Sequence, residues 1–180
     1  MRSSRLAPSH RLGVILATLA LTAVTFAACD DDDDDTTEPQ RNATVTLSPA
    51  NEIATPAVVS TATGTATFTI VGNTLTYSVG VSNLTTTPVG AHIHSAAPTA
   101  NGPIIFDFFP AGTPAISTAL TNPALASGTI DLTSANISNR PNVNISGDSL
   151  RKLLAAGQLY TNVHTSRFPA GEIRGNIPSF

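Results

Sequence analysis

Three histidines dominate the chemistry open to this sequence. His92 and His94 stand two residues apart in Gly90-Ala91-His92-Ile93-His94, and His164 lies in Leu159-Tyr160-Thr161-Asn162-Val163-His164-Thr165. The remaining histidine, His10, belongs to the N-terminal leader. On an extended strand residues i and i+2 point the same way. His92 and His94 therefore share one face, with Ala91 and Ile93 on the other. Tyr160, Asn162 and His164 likewise oppose Leu159, Thr161 and Val163, and Glu172, Arg174 and Asn176 alternate with Ile173, Gly175 and Ile177. Neutral imidazoles of His92, His94 and His164 could bind Zn²⁺ or Cu²⁺, with Glu172 as a fourth donor or as a partner orienting one of them. The same residues fit a purely structural network, in which the histidines hydrogen-bond Glu172, Asn162 and loop carbonyls. Arg174 would then pair with Glu172 or with a buried carbonyl. Its position separates the two readings, because a fixed positive charge among the histidines repels a cation. The structural network is our first reading, and a copper or zinc site is the alternative.

Catalysis finds less support. The carboxylates Glu52, Asp107, Asp131, Asp148 and Glu172 are scattered singly, and the sequence has no Gly-x-Ser-x-Gly nucleophile elbow and no phosphate loop. We therefore expect a non-enzymatic module with no catalytic residues. No cofactor is expected apart from the copper or zinc of the alternative. Residues 41–180 carry six basic and five acidic side chains, and Arg151-Lys152 is their only adjacent basic pair. Such a near-neutral domain offers no electrostatic footprint for nucleic acid.

The elements that must position these residues are strands. Ala66, Phe68 and Ile70 alternate with threonines, Gly72-Asn73 breaks the pattern, and Leu75, Tyr77, Val79 and Val81 resume it. Period two on both sides of a two-residue Gly-Asn break predicts a hairpin. Further strands are expected at 44–47, around His92–His94, at 103–109 and at 128–132, with a closing hairpin of 159–164 and 172–177. One helix is expected over 149–156, capped by Asp148 and Gly157, with Leu150, Leu153 and Leu154 as its apolar face. Several short strands and one late helix predict an all-β protein, an antiparallel Greek-key β-sandwich with one short helix near the C-terminus.

The N-terminus is of another kind. Arg2, Arg5 and Arg11 precede an uncharged stretch from Leu12 to Ala28, which closes on Phe26-Ala27-Ala28-Cys29. This pattern predicts a lipoprotein signal peptide over 1–28 with Cys29 as the lipidation site. Cys29 is the chain's only cysteine, so no disulfide can form within it. Asp30 to Asp35 follow, and residues 29–40 read as an acidic disordered tether, since like charges repel and nothing apolar is present. Residues 41–180 then form one domain, held to a bacterial membrane of the cell envelope and either periplasmic or surface-exposed.

Four segments carry a family resemblance: Leu47-Ser48-Pro49-Ala50-Asn51-Glu52, Gly90-Ala91-His92-Ile93-His94, Asn101-Gly102-Pro103-Ile104-Ile105, and the run from Leu159 to Thr165 with Pro169-Ala170-Gly171-Glu172-Ile173-Arg174-Gly175. Together they resemble the CHRD domain, named after chordin, across about residues 42–178. The resemblance implies an exported binding or structural module and brings no ligand with it, so a protein or glycan partner stays unnamed. The His-x-His strand is also similar to the metal-bearing strand of copper/zinc superoxide dismutases, although the further metal histidines and cysteines of that family are missing.

Replacing Cys29 by Ser should stall processing or release the protein from membranes, because buried acyl chains contribute about 0.8 kcal/mol per CH₂. A C29S protein that is processed and fractionates with membranes as wild type does would remove the lipid anchor.

Overall fold

The computed structural model describes residues 38–109 and 119–180. The expected signal peptide, the expected lipidation site Cys29 and the expected tether to residue 37 lie outside them. Threonine-rich alternation builds the first sheet. In β1 (Arg41–Leu47), β2 (Thr63–Val71) and β3 (Thr74–Ser82), every second residue from Ala43, Ala66 and Leu75 onward is apolar and buried, whereas the threonines between them face outward. Thr44, Thr67 and Ser78 lie in one cross-strand row of that outer face. β-branched hydroxyl residues suit such a solvated face. The β2–β3 hairpin turns at Gly72-Asn73 as the pattern predicts.

After β3 the chain crosses to a second sheet, where β4 (Pro88–Ser95) pairs with β5 (Ile104–Asp107). It returns as β6 (Asn122–Asp131) beside β3, runs through α1 (Gly147–Ala155), and ends as the hairpin of β7 (Leu159–Thr165) and β8 (Ile173–Ile177). The two antiparallel sheets have the orders β1-β2-β3-β6 and β5-β4-β7-β8. Crossing out and back around β4 and β5 is the Greek-key sandwich expected from the sequence. β6 begins six residues before the predicted strand, at Asn122. Pro123 hid this, but a proline is tolerated in an edge strand, and the β3–β6 register shifts by a bulge beside it.

The inner faces meet in one core that includes Leu47, Phe68, Leu75, Ile93, Val163 and Ile173. Tyr77 packs on Phe106 and Phe108, with ring centroids 5.8 and 4.8 Å away. One corner is sewn shut where Ser48 and Arg174 exchange two backbone hydrogen bonds of 3.0 and 3.1 Å. Gly175 permits that approach, since a Cβ there would stand 2.4 Å from Val45 Cγ1 and 2.6 Å from the Thr46 carbonyl oxygen.

The helix starts two residues earlier than its apolar pattern indicates. Ser146, not Asp148, is the N-cap, and its hydroxyl accepts from the Ser149 N–H at 3.1 Å. Asp148 instead sits in the first turn, where its charge faces the positive end of the helix dipole. Gly157 follows the helix in the left-handed region, at φ +61°. Leu150 and Leu154 are fully buried, whereas Leu153 is only partly so. Leu154→Ala should therefore cost about 2–5 kcal/mol and Leu153→Ala distinctly less. Equal shifts of the urea midpoint for the two variants would contradict this packing.

Candidate functional site

Strand register assembles the outer face of the second sheet. Asp107, His92, Asn162 and Arg174 are successive cross-strand neighbours on β5, β4, β7 and β8. His94, Tyr160 and Asn176 form the next row, and His164 sits opposite Gly90. A polar outer face would ordinarily be wet. Here every residue of β7 is buried, because the segments around residues 98–102 and 169–171 cover it. His92, His94 and His164 thus converge although about 70 residues separate the two motifs in the chain, and one ring nitrogen of each lies within 4.8 Å of the others.

Each imidazole is fixed by an acceptor behind it. His92 Nε2 lies 2.9 Å from Asp107 Oδ1, His94 Nδ1 is 2.9 Å from the Gly102 carbonyl, and His164 Nδ1 is 2.9 Å from the Pro169 carbonyl. A carbonyl or carboxylate oxygen only accepts, so it favours the proton on the nitrogen facing it and a lone pair on the other. Those other nitrogens are His92 Nδ1 and His94 Nε2, which are buried and without a partner, and His164 Nε2, which is 2.9 Å from Asn162 Oδ1. Burial holds all three rings below the usual histidine range, His92 at about 3, with the neighbouring histidines and Arg140 adding to the effect there. The rings are neutral, which is the form that binds metals.

Asp107 is itself clamped. Arg140 Nη1 stands 2.7 Å from both carboxylate oxygens, and Asn139 exchanges two hydrogen bonds with the Asp107 backbone. Sequence reasoning did not assign Asp107, Arg140, Gly102 or Pro169 to the site. The one available signal was that β4 and β5 form a hairpin, which sets an outward residue of β5 beside His92.

Arg174 does not stand among the histidines. Its guanidinium lies 3.5 Å over the Tyr160 ring, and that ring stacks on His94 with centroids 4.5 Å apart. With β7 between β4 and β8, Tyr160 separates Arg174 from His94. Arg174 donates to Asn101 Oδ1 and the Ala100 carbonyl at 2.9 Å, and to the Pro98 carbonyl and Asn176 Oδ1 at 3.3 Å. It latches the covering loop.

Glu172 departs from the expected cluster. β8 begins at Ile173, and Gly171, at φ +130°, turns the chain just before it, so the alternation that includes Arg174 does not reach Glu172. Its buried carboxylate accepts instead from the Ser60 and Thr165 hydroxyls and from the N–H and hydroxyl of Thr85. It is neither a fourth donor nor a partner of the histidines. A different carboxylate approaches from β1's end. Glu52 Oε1 accepts from Asn162 Nδ2 at 3.5 Å, and burial pushes its pKa up to about 7 against the pull of Arg174 and Asn162.

Among known proteins, the family model described as the CHRD domain matches residues 43–177. Searches of the curated proteins and of the solved structures return no match.

The neutral histidines make stability depend on pH. As pH falls through 6.5 the unfolded chain protonates them, whereas folded His92 resists protonation down to about 3. The unfolded state binds more protons in that window, so stability falls with pH. Glu52 acts in the opposite sense, because its folded carboxyl keeps a proton up to about 7 against 4.5 when unfolded. In chelator-treated protein the urea midpoint should fall between about pH 7 and pH 4, and Glu52→Gln should steepen that fall. A midpoint that holds or rises in acid would contradict neutral buried imidazoles.

Proposed function

We propose that this chain, which belongs to the CHRD domain family, is a lipid-anchored envelope module that binds a transition-metal ion, copper or zinc, through His92, His94 and His164. Family membership supports a non-enzymatic binding or structural module. The observation that carries the metal reading is the placement of acceptor oxygens behind the three rings. Each ring has one nitrogen 2.9 Å from an acceptor oxygen, His92 from Asp107, His94 from Gly102 and His164 from Pro169. Such outer partners are what metal-binding histidines use to fix their orientation and strengthen donation. The opposite nitrogens keep their lone pairs.

A structural cluster alone would leave two of those lone pairs, on His92 Nδ1 and His94 Nε2, buried without a donor. Each such group costs about 1–3 kcal/mol, which an apolar side chain in the same place would not incur. Arg174, whose intrusion would argue against a cation, spends its hydrogen bonds on the covering loop. Ligand nitrogens about 2.0–2.1 Å from a zinc ion stand about 3.4 Å from one another. One ring nitrogen of each histidine lies within 4.8 Å of the others, so binding requires the rings to close by about 1 Å or a little more.

Anchoring rests on the leader: small residues before Cys29 and an aspartate run directly after it. The acidic tether would hold the domain off the membrane as a solvated spacer. Near-neutral charge over residues 41–180 argues against nucleic acid as a partner.

Titrating chelator-treated protein with Zn²⁺ and with Cu²⁺ should give one equivalent per chain and raise the melting temperature, as binding to the folded state alone requires. His94→Ala and His164→Ala should each lower the affinity at least ~100-fold, given that each removes one of three imidazole ligands. Histidine variants that bind as tightly as wild type would eliminate this site.

A further inference from the structure

Three imidazoles leave a tetrahedral ion one donor short, and the same buried face offers one. Asn162 occupies β7 between His92 on β4 and Arg174 on β8, and it is buried. Its Oδ1 stands 2.9 Å from His164 Nε2. With the ring proton on Nδ1, facing the Pro169 carbonyl, Nε2 presents a lone pair to an oxygen that also has only lone pairs. Two acceptors at hydrogen-bond distance with no hydrogen between them repel one another. His92 Nδ1 and His94 Nε2 add two more bare lone pairs in the same cluster. Four electron-pair donors without a hydrogen to share are what a divalent cation satisfies.

Turning the amide over would exchange its partners. Nδ2 would then serve His164, but Oδ1 would face Glu52 Oε1, which Nδ2 now approaches at 3.5 Å. With Nδ2 on the Glu52 side, as the structure has it, the amide oxygen points at the histidines. Glu52 is fixed in turn by the tight turn at Gly171, where a Cβ would come within 2.2 Å of its Oε1.

We propose that Asn162 Oδ1 is the fourth donor, completing a His₃–amide-oxygen site that is closed to solvent ligands, with Glu52 as the residue that positions the amide. This deepens the metal reading and rests on it. A closed, four-coordinate site with a hard oxygen favours Zn²⁺ or Cu²⁺ over Cu⁺, and it leaves no open position for an outside ligand.

Cobalt(II) loaded into the full mature chain tests this through its visible ligand-field bands, with azide as the probe for an open position. Wild type should take up one equivalent of cobalt and keep its spectrum when azide is added. Asn162→Ala should bind Zn²⁺ about 10–100-fold more weakly, a loss of the size seen when groups supporting a metal site are removed. Its cobalt bands should also shift with azide. Asn162→Asp, which retains a ligating oxygen, should stay insensitive to azide. An azide response in wild type equal to that of Asn162→Ala would overturn the fourth-donor assignment while leaving the three-histidine site standing. Failure of wild type to bind cobalt or zinc at all would overturn the metal reading itself. Should Asn162→Ala fail to fold, the azide responses of wild type and Asn162→Asp decide the matter alone.

Discussion

The register between β4 and β7 is the constraint on which the site depends. Pairing His92 with Asn162 and His94 with Tyr160 puts all four side chains on the outer face and sets His164 opposite Gly90. A slip of one residue would turn every one of these side chains to the other face. His92 and His94 would enter the core, and Ala91 and Ile93 would leave it. The apolar face prevents that slip, because Ala91, Ile93, Leu159 and Val163 pack against the first sheet in the observed register only. Core packing and site geometry are therefore one specification, written on alternate residues of the same strands.

Two buried polar assemblies lie within a few residues of each other and are satisfied in opposite ways. Glu172 is a charge surrounded by donors, with three hydroxyls and one backbone N–H on its two oxygens. Nothing is left for it to bind, and it ties three otherwise separate segments to the start of β8. The histidine cluster is the reverse, with acceptor oxygens of Asp107, Gly102 and Pro169 at its edge and two buried ring nitrogens, His92 Nδ1 and His94 Nε2, without a partner. Buried polar groups gain from low dielectric when paired and lose from it when they are not. Glu172 fits a structural role.

Much of this was legible in the sequence, and the losses have physical causes. Period-two alternation gave β1 to β3 and the closing hairpin, and the i, i+2 rule put His92 with His94 and Asn162 with His164. Extending the same alternation back to Glu172 failed because it assumes an unbroken strand, and Gly171 breaks it. Asp107 and Arg140 were beyond reach for another reason. Asp107 enters by pairing across a hairpin, and Arg140 reaches it from a segment without regular structure. Gly102 and Pro169 contribute only carbonyls, which every residue has, so no side-chain pattern could reveal them. Ser146 was passed over as helix cap because Asp148, also a good cap, stood nearer the leucines.

The distribution of the ligands along the chain has a consequence for binding. His92 and His94 are local, but their acceptor partners are not alike: Gly102 lies in the loop after β4, whereas Asp107 needs the β4–β5 hairpin closed. His164 arrives only when β7 pairs with β4, and the Pro169 carbonyl that fixes its tautomer only when β7 turns into β8. An unfolded chain therefore holds two histidines of free tautomer and rotamer and a third about 70 residues away. Any ion bound by all three sees the folded sandwich and little of the unfolded chain. Binding free energy then appears as folding free energy, in proportion to the logarithm of free ion over dissociation constant. With no disulfide available to residues 41–180, which contain no cysteine, a bound ion would tie the β4–β5 hairpin to the β7–β8 hairpin from the outside, as Ser48 and Arg174 tie β1 to β8 at the corner.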